Sequence, residues 1–130
     1  MRFYVSGRFY DREKIIEVFQ YLKSRGYEIA NDWTEHKNLR GEYGENMELS
    51  VKYTNEDVEG VRNCDVFVLI SDKQGGTGMH TEFGIALNSL LEKNKPKIYV
   101  IGEHTSRCMF YFHPKVKRMK NLDEVLNDLD

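Results

Sequence analysis

The chain has 130 residues, of which 40% are hydrophobic and 31% charged, with a formal net charge of −2. That length supports one buried core and not two, so residues 1–130 are expected to form a single domain. The slightly acidic balance argues against a nucleic-acid-binding surface, which is usually strongly basic, and no apolar run is long enough to span a membrane.

Met1-Arg2-Phe3-Tyr4-Val5 reads as the start of a strand and not as a signal peptide. Cys64 and Cys108 make no CxxC pair, which points to a thiol-reducing, cytoplasmic setting. The histidines at 36, 80, 104 and 113 show no metal-ligand spacing, so neither a metal nor a cofactor is expected.

Arg2 to Ser6 is short, apolar and β-prone, a first strand broken by Ser6-Gly7-Arg8. Asp11 can cap a helix running to about Arg25, with Ile15, Val18, Phe19 and Leu22 on its buried face and Gly26 ending it. Tyr27 to Ala30 is a second strand, with Asn31-Asp32-Trp33-Thr34 at its carboxyl end. The polar stretch Glu35 to Gly44 reads as a loop long enough to form a lid or substrate wall. A helix follows from about Glu45 to Arg62, with Met47, Val51, Val58 and Val61 as its apolar positions and Asn55 as a possible bend.

Asp65 to Ser71 is a continuous apolar run, the pattern of a fully buried strand. Gly75-Gly76-Thr77-Gly78 then opens an amphipathic helix in which Phe83, Ala86, Leu87, Leu90 and Leu91 recur at helical spacing. Pro96 closes that region, and Lys97 to Gly102 is a fourth strand. Met109-Phe110-Tyr111-Phe112 fits a short strand, a buried loop or a subunit contact. Val116 to Met119 is a fifth strand, and Leu122 to Leu129 a short final helix with Asn121 as its cap.

Strands alternating with helices imply an α/β fold with a parallel sheet covered on both faces. At this size the expected arrangement is a flavodoxin-like, doubly wound sheet of about five strands in the order 2-1-3-4-5. That order brings Tyr4, Ser6 and Arg8 into one crevice with Gly75 to Glu82. A glycine-rich turn between a parallel strand and a helix exposes backbone N–H groups at the positive end of the helix, where ligands of such sheets bind. Glu82, just past that turn, either answers the helix dipole or faces a substrate. His80 is a ligand contact or a structural histidine, and Trp33 a core or pocket-wall residue. By spacing alone Asp57 sits on a solvated helix face and Asp65 at a strand entrance. No Walker A loop, dinucleotide fingerprint or Ser-His-Asp triad is present.

Together these residues resemble the nucleoside 2-deoxyribosyltransferase superfamily, which includes the 2′-deoxynucleoside 5′-phosphate N-hydrolases. The resemblance rests on Phe3-Tyr4-Val5-Ser6-Gly7, on Asp57 followed eight residues later by Asp65, and on the glycine-rich loop leading to Glu82, Gly84 and Ala86. It implies cleavage of an N-glycosidic bond, with Glu82 as the nucleophile and Asp57 positioning the sugar and handling protons near the departing base. Tyr4 matches an aromatic residue beside the nucleophile. Ser6, Gly7 and Arg8 are compatible with a 5′-phosphate, and Trp33, Asp72, Gly76, Thr77, Gly78 and His80 complete the substrate-binding set. The implied partner is a nucleoside or nucleotide, and the implied assembly a homo-oligomer, with Met109 to Phe112 as candidate contact. Two departures stand out. The transferases carry an acidic residue where this chain has Gly76, six positions before Glu82, and the nearby Asp72 lies ten positions before it. In the transferases an extended tail contributes to a neighbouring subunit's pocket, and no such segment is expected from this sequence. Water as acceptor would give hydrolysis and a second base would give transfer. A non-catalytic nucleotide sensor on the same fold, or less readily a flavodoxin-like electron carrier, are the competing readings.

Overall fold

The computed structural model describes residues 1–130. Five parallel strands form one sheet in the order β2-β1-β3-β4-β5. They are β1 (Arg2–Ser6), β2 (Glu28–Ile29), β3 (Val66–Ile70), β4 (Lys97–Ile101) and β5 (Val116–Met119). Four helices connect them: α1 (Arg12–Ser24), α2 (Met47–Arg62), α3 (Thr77–Lys93) and α4 (Leu122–Leu129). Single-turn 3-10 helices at Phe9–Asp11, Trp33–Glu35, Gly44–Asn46 and Met109–Phe112 punctuate the loops. The strand order is the one expected from the alternation of elements.

The central strands β1 and β3 are apolar along almost their whole length because both faces are covered. Their register aligns Tyr4 with Phe67 and then Ile98 across the sheet. Tyr4 stacks on Phe67 at 5.8 Å, and Phe67 meets Phe83 of α3 edge-on at 6.4 Å. Helices α2 and α3 therefore lie on the Tyr4 side, while α1 and α4 cover the other side and join through the Tyr21 hydroxyl donating to Asp123 at 2.9 Å. The core is continuous across both layers. No helix is long and apolar enough to cross a membrane.

Several local expectations change. β2 is shorter than Tyr27 to Ala30, because Tyr27 turns out of the ladder and packs its ring against Phe3 at 4.9 Å. Asp11 precedes α1 but makes no capping bond, since the chain enters the helix through a 3-10 turn and Asp11 leans toward Asp72 instead. In α2 the buried residues, Gly60 and Val61, are confined to the last turn. Its first turns pack beside the Gly44–Asn46 turn and leave Met47 and Val51 exposed, contrary to the apolar pattern. The helix runs unbroken through Asn55. Leu91 is also exposed, on the side of α3 turned away from the sheet. Met109 to Phe112 is a 3-10 turn in which only Tyr111 is buried.

Candidate active site

At the carboxyl edge of β1 and β3 the chain forms a cleft of about 410 Å³. β1 supplies its floor. Successive side chains of a strand alternate between faces, so Tyr4 and Ser6 both point toward α2 and α3. Glu82 lies in the second turn of α3, and its carboxylate accepts a hydrogen bond on each oxygen. The Tyr4 hydroxyl donates to Oε2 at 2.5 Å and the Ser6 hydroxyl donates to Oε1 at 2.7 Å. Burial pushes the Glu82 carboxyl above its usual range, and the two hydroxyls oppose that shift by stabilising the charged form. Tyr4 is fully buried, and burial together with the Glu82 charge pushes its hydroxyl far up, so it stays a donor.

Asp57 faces the same cleft from α2. Its Oδ1 accepts from the Asn31 amide at 2.7 Å. Burial first, and then the Glu82 charge, push its carboxyl up to about 6, with the charge of a protonated His36 acting in the opposite direction. Two carboxyls with raised proton affinity thus share one crevice, an arrangement that clusters at functional sites. Asp57 reaches this position because α2 approaches β1 closely at Gly60. A Cβ there would lie 2.8 Å from Asn31 Cβ and 3.0 Å from Tyr4 Cε2.

The remaining expected residues divide into two groups. Gly7, Arg8, Trp33, Gly76, Thr77 and Gly78 line the cleft with Asp57 and Glu82. Trp33 is a wall residue pinned from behind, its indole N–H donating to the Val5 carbonyl at 2.7 Å. Arg8 is held at 5.5 Å over the Tyr10 ring and 3.4 Å from Asp72. Asp72 itself lies outside the cleft lining, accepting from the Gln74 backbone N–H at 3.0 Å. His80 also turns away from the cleft, sharing a hydrogen bond with the Tyr111 hydroxyl at 2.8 Å. Asp65 lies at the opposite, amino-terminal end of β3, where it accepts the Arg2 backbone N–H at 2.8 Å, a bond that holds its carboxyl below the usual range.

Three lining residues, Phe9, Tyr10 and Met79, had drawn no functional reading from the sequence, and His36 and Tyr43 had drawn one only as part of the Glu35 to Gly44 lid or substrate wall. His36 stacks on Tyr53 at 3.9 Å, with Nε2 buried, unpaired by hydrogen bonding, and 3.9 Å from Asp57 Oδ1. The one available signal for His36 and Tyr43 was the long polar loop, which does bring both to the cleft.

No protein-family profile matches the chain, and no curated protein matches it in sequence. Among solved structures, the fold is similar to that of a CMP N-glycosidase from Clostridium botulinum. The two share 18% sequence identity and a TM-score of 0.63, over 100% of this chain and 99% of the other. At that identity the likeness defines the class of fold, a five-stranded doubly wound α/β domain.

Proposed function

We propose that the protein cleaves the N-glycosidic bond of a nucleoside or nucleoside 5′-monophosphate. The observation that carries this reading is Glu82, aimed into the cleft with one hydroxyl on each oxygen and with Asp57 facing it. A carboxylate so held is oriented for attack, and the two hydroxyls favour its ionised form against the effect of burial. The similarity in fold to a CMP N-glycosidase supports the same chemistry, as does the resemblance of the Tyr4, Asp57 and Glu82 positions to the deoxyribosyltransferase pattern.

In this mechanism Glu82 attacks the anomeric carbon as the bond to the base nitrogen breaks. The bonding electrons leave with the base, and protonated Asp57 supplies the base with a proton. A glycosyl ester of Glu82 remains. Water then attacks the same carbon, Asp57 takes its proton, and Glu82 departs as a carboxylate, so the sugar keeps its anomeric configuration. Water is favoured over a second base as acceptor because Gly76 stands where the transferases carry a further acid and Asp72 is engaged with Arg8. Arg8 and the N–H groups of the Gly76-Thr77-Gly78 turn suit an anionic 5′ substituent.

We further propose that the chain self-associates through the outer face of α3. A groove of about 460 Å³ there is lined by Gly84, Leu87, Leu91 and Phe110, beside exposed Met109. Light scattering at micromolar concentration tests this, and a monomer would refute it.

The test of activity is chromatographic. CMP and a panel of nucleosides, deoxynucleosides and their 5′-monophosphates are incubated with the protein and with Glu82→Ala. Free base from the parent alone is the expected result. Equal release by both proteins, or none by either, would overturn the reading.

A further inference from the structure

Asn31 follows the last residues of β2, and nothing in its local sequence marks it as functional. In the fold it stands between the two carboxyls. One amide N–H donates to Asp57 Oδ1 at 2.7 Å, and the residue lies beside Tyr4, whose hydroxyl donates to Glu82. Its Cβ would be 2.8 Å from a Cβ at Gly60, so the backbone of α2 closes directly onto it.

We propose that Asn31 is a positioning residue for Asp57, holding its carboxyl in the crevice it shares with Glu82. The inference rests on the glycosidic reading for its consequence and on geometry for its content. A primary amide suits this place because it donates to the carboxylate and does not titrate. An aspartate would add a third carboxyl to the crevice, and a leucine of similar size would donate nothing.

The consequence is electrostatic. A donor to a carboxylate favours its charged form, so loss of Asn31 raises the proton affinity of Asp57 further. The other groups bearing on Asp57 are Glu82 from α3, Tyr4 from β1, Glu56 from its own helix and His36 from the loop beyond β2. All of them remain in an Asn31 variant, which isolates the contribution of the amide.

The experiment is a carboxyl carbon NMR titration of the free protein labelled at aspartate, with the Asp57 signal assigned by its loss in Asp57→Asn. In Asn31→Leu the Asp57 midpoint is expected to rise by about one pH unit from about 6. Asn31→Gln, which keeps a donor, is expected to return part of that shift and serves if the leucine variant folds poorly. Where base release is observed, kcat in Asn31→Leu is expected to fall about tenfold with KM little changed, and the pH profile to move with the Asp57 midpoint. An Asp57 midpoint unchanged in both variants would overturn the proposal. The titration needs no substrate, so it judges Asn31 even where the free-base assay rejects the glycosidic reading.

Discussion

Gly60→Ala sets two opposite effects against each other. In a helix interior alanine is favoured over glycine by about 0.5–1 kcal/mol. Here the new methyl would sit 2.8 Å from Asn31 Cβ and 3.0 and 3.2 Å from Tyr4 Cε2 and Cδ2. Relaxed carbon contacts lie at roughly 3.5–4.0 Å, so α2 must retreat by about 0.7 Å or the neighbours must move. Neither neighbour yields easily, since Tyr4 is fully buried and the Asn31 atom is anchored to backbone. Overpacking of this kind costs about 1–3 kcal/mol. The net expectation is a loss of about 1 kcal/mol, or a Tm lower by about 2–4 °C. Catalysis should suffer more than stability, because the retreat carries Asp57 with it, and a misplacement near 1 Å costs about 100-fold in rate. Thermal melting and base release measure the two effects separately. A variant more stable than the parent and equally active would refute the claim that Gly60 sets the approach of α2 to the site.

The same substitution at Gly84 is expected to do the reverse in the dilute, monomeric protein, raising stability by about 0.5–1 kcal/mol, because within the chain a methyl there meets nothing within 4 Å. A melting curve reads the sign, provided both proteins are compared at one concentration. Tyr4→Phe removes the donor to Glu82 Oε2 and is expected to raise the proton affinity of Glu82 and to lower kcat about 10- to 100-fold at neutral pH. The folded protein favours protonated Asp57, from an ordinary value of 3.8 up to about 6, so its contribution to stability is full below about pH 4 and is lost as pH rises through 6. Asp57→Asn escapes that loss. It should melt like the parent near pH 4 and be more stable by about 1–2 kcal/mol at pH 8, after allowance for partial exposure of the carboxyl. A variant less stable at pH 8 than the parent would refute the assigned direction.

Much of the fold was legible because it rests on periodicity. Continuous apolar runs marked β3 and β4, helical spacing marked α1 and α3, and their alternation fixed the parallel sheet. The strand order then placed Tyr4 and Ser6 beside Glu82. What failed to read was any effect set by distance in three dimensions. Met47 and Val51 fit the helical stripe of α2, yet that stripe meets the sheet only near Gly60 and Val61. Asp72 looked like a cleft residue by its distance in sequence, but its carboxylate accepts from its own loop and faces Arg8. His36 and Asn31 had no motif at all. Their positions follow from how the segment after β2 folds against Tyr53 and Asp57, which no local pattern encodes.

The central claim, that Glu82 is the nucleophile, is tested most directly by trapping the ester. A nucleoside 5′-monophosphate carrying fluorine at the 2′ carbon slows both steps, since the fluorine destabilises the positive charge that develops on the sugar. Acid quenching, digestion and peptide mass measurement are expected to show one fluoro-sugar phosphate on the peptide containing Glu82, and none with Glu82→Gln. Base release at full rate by the Glu82→Gln protein, or an adduct on a different residue, would contradict it.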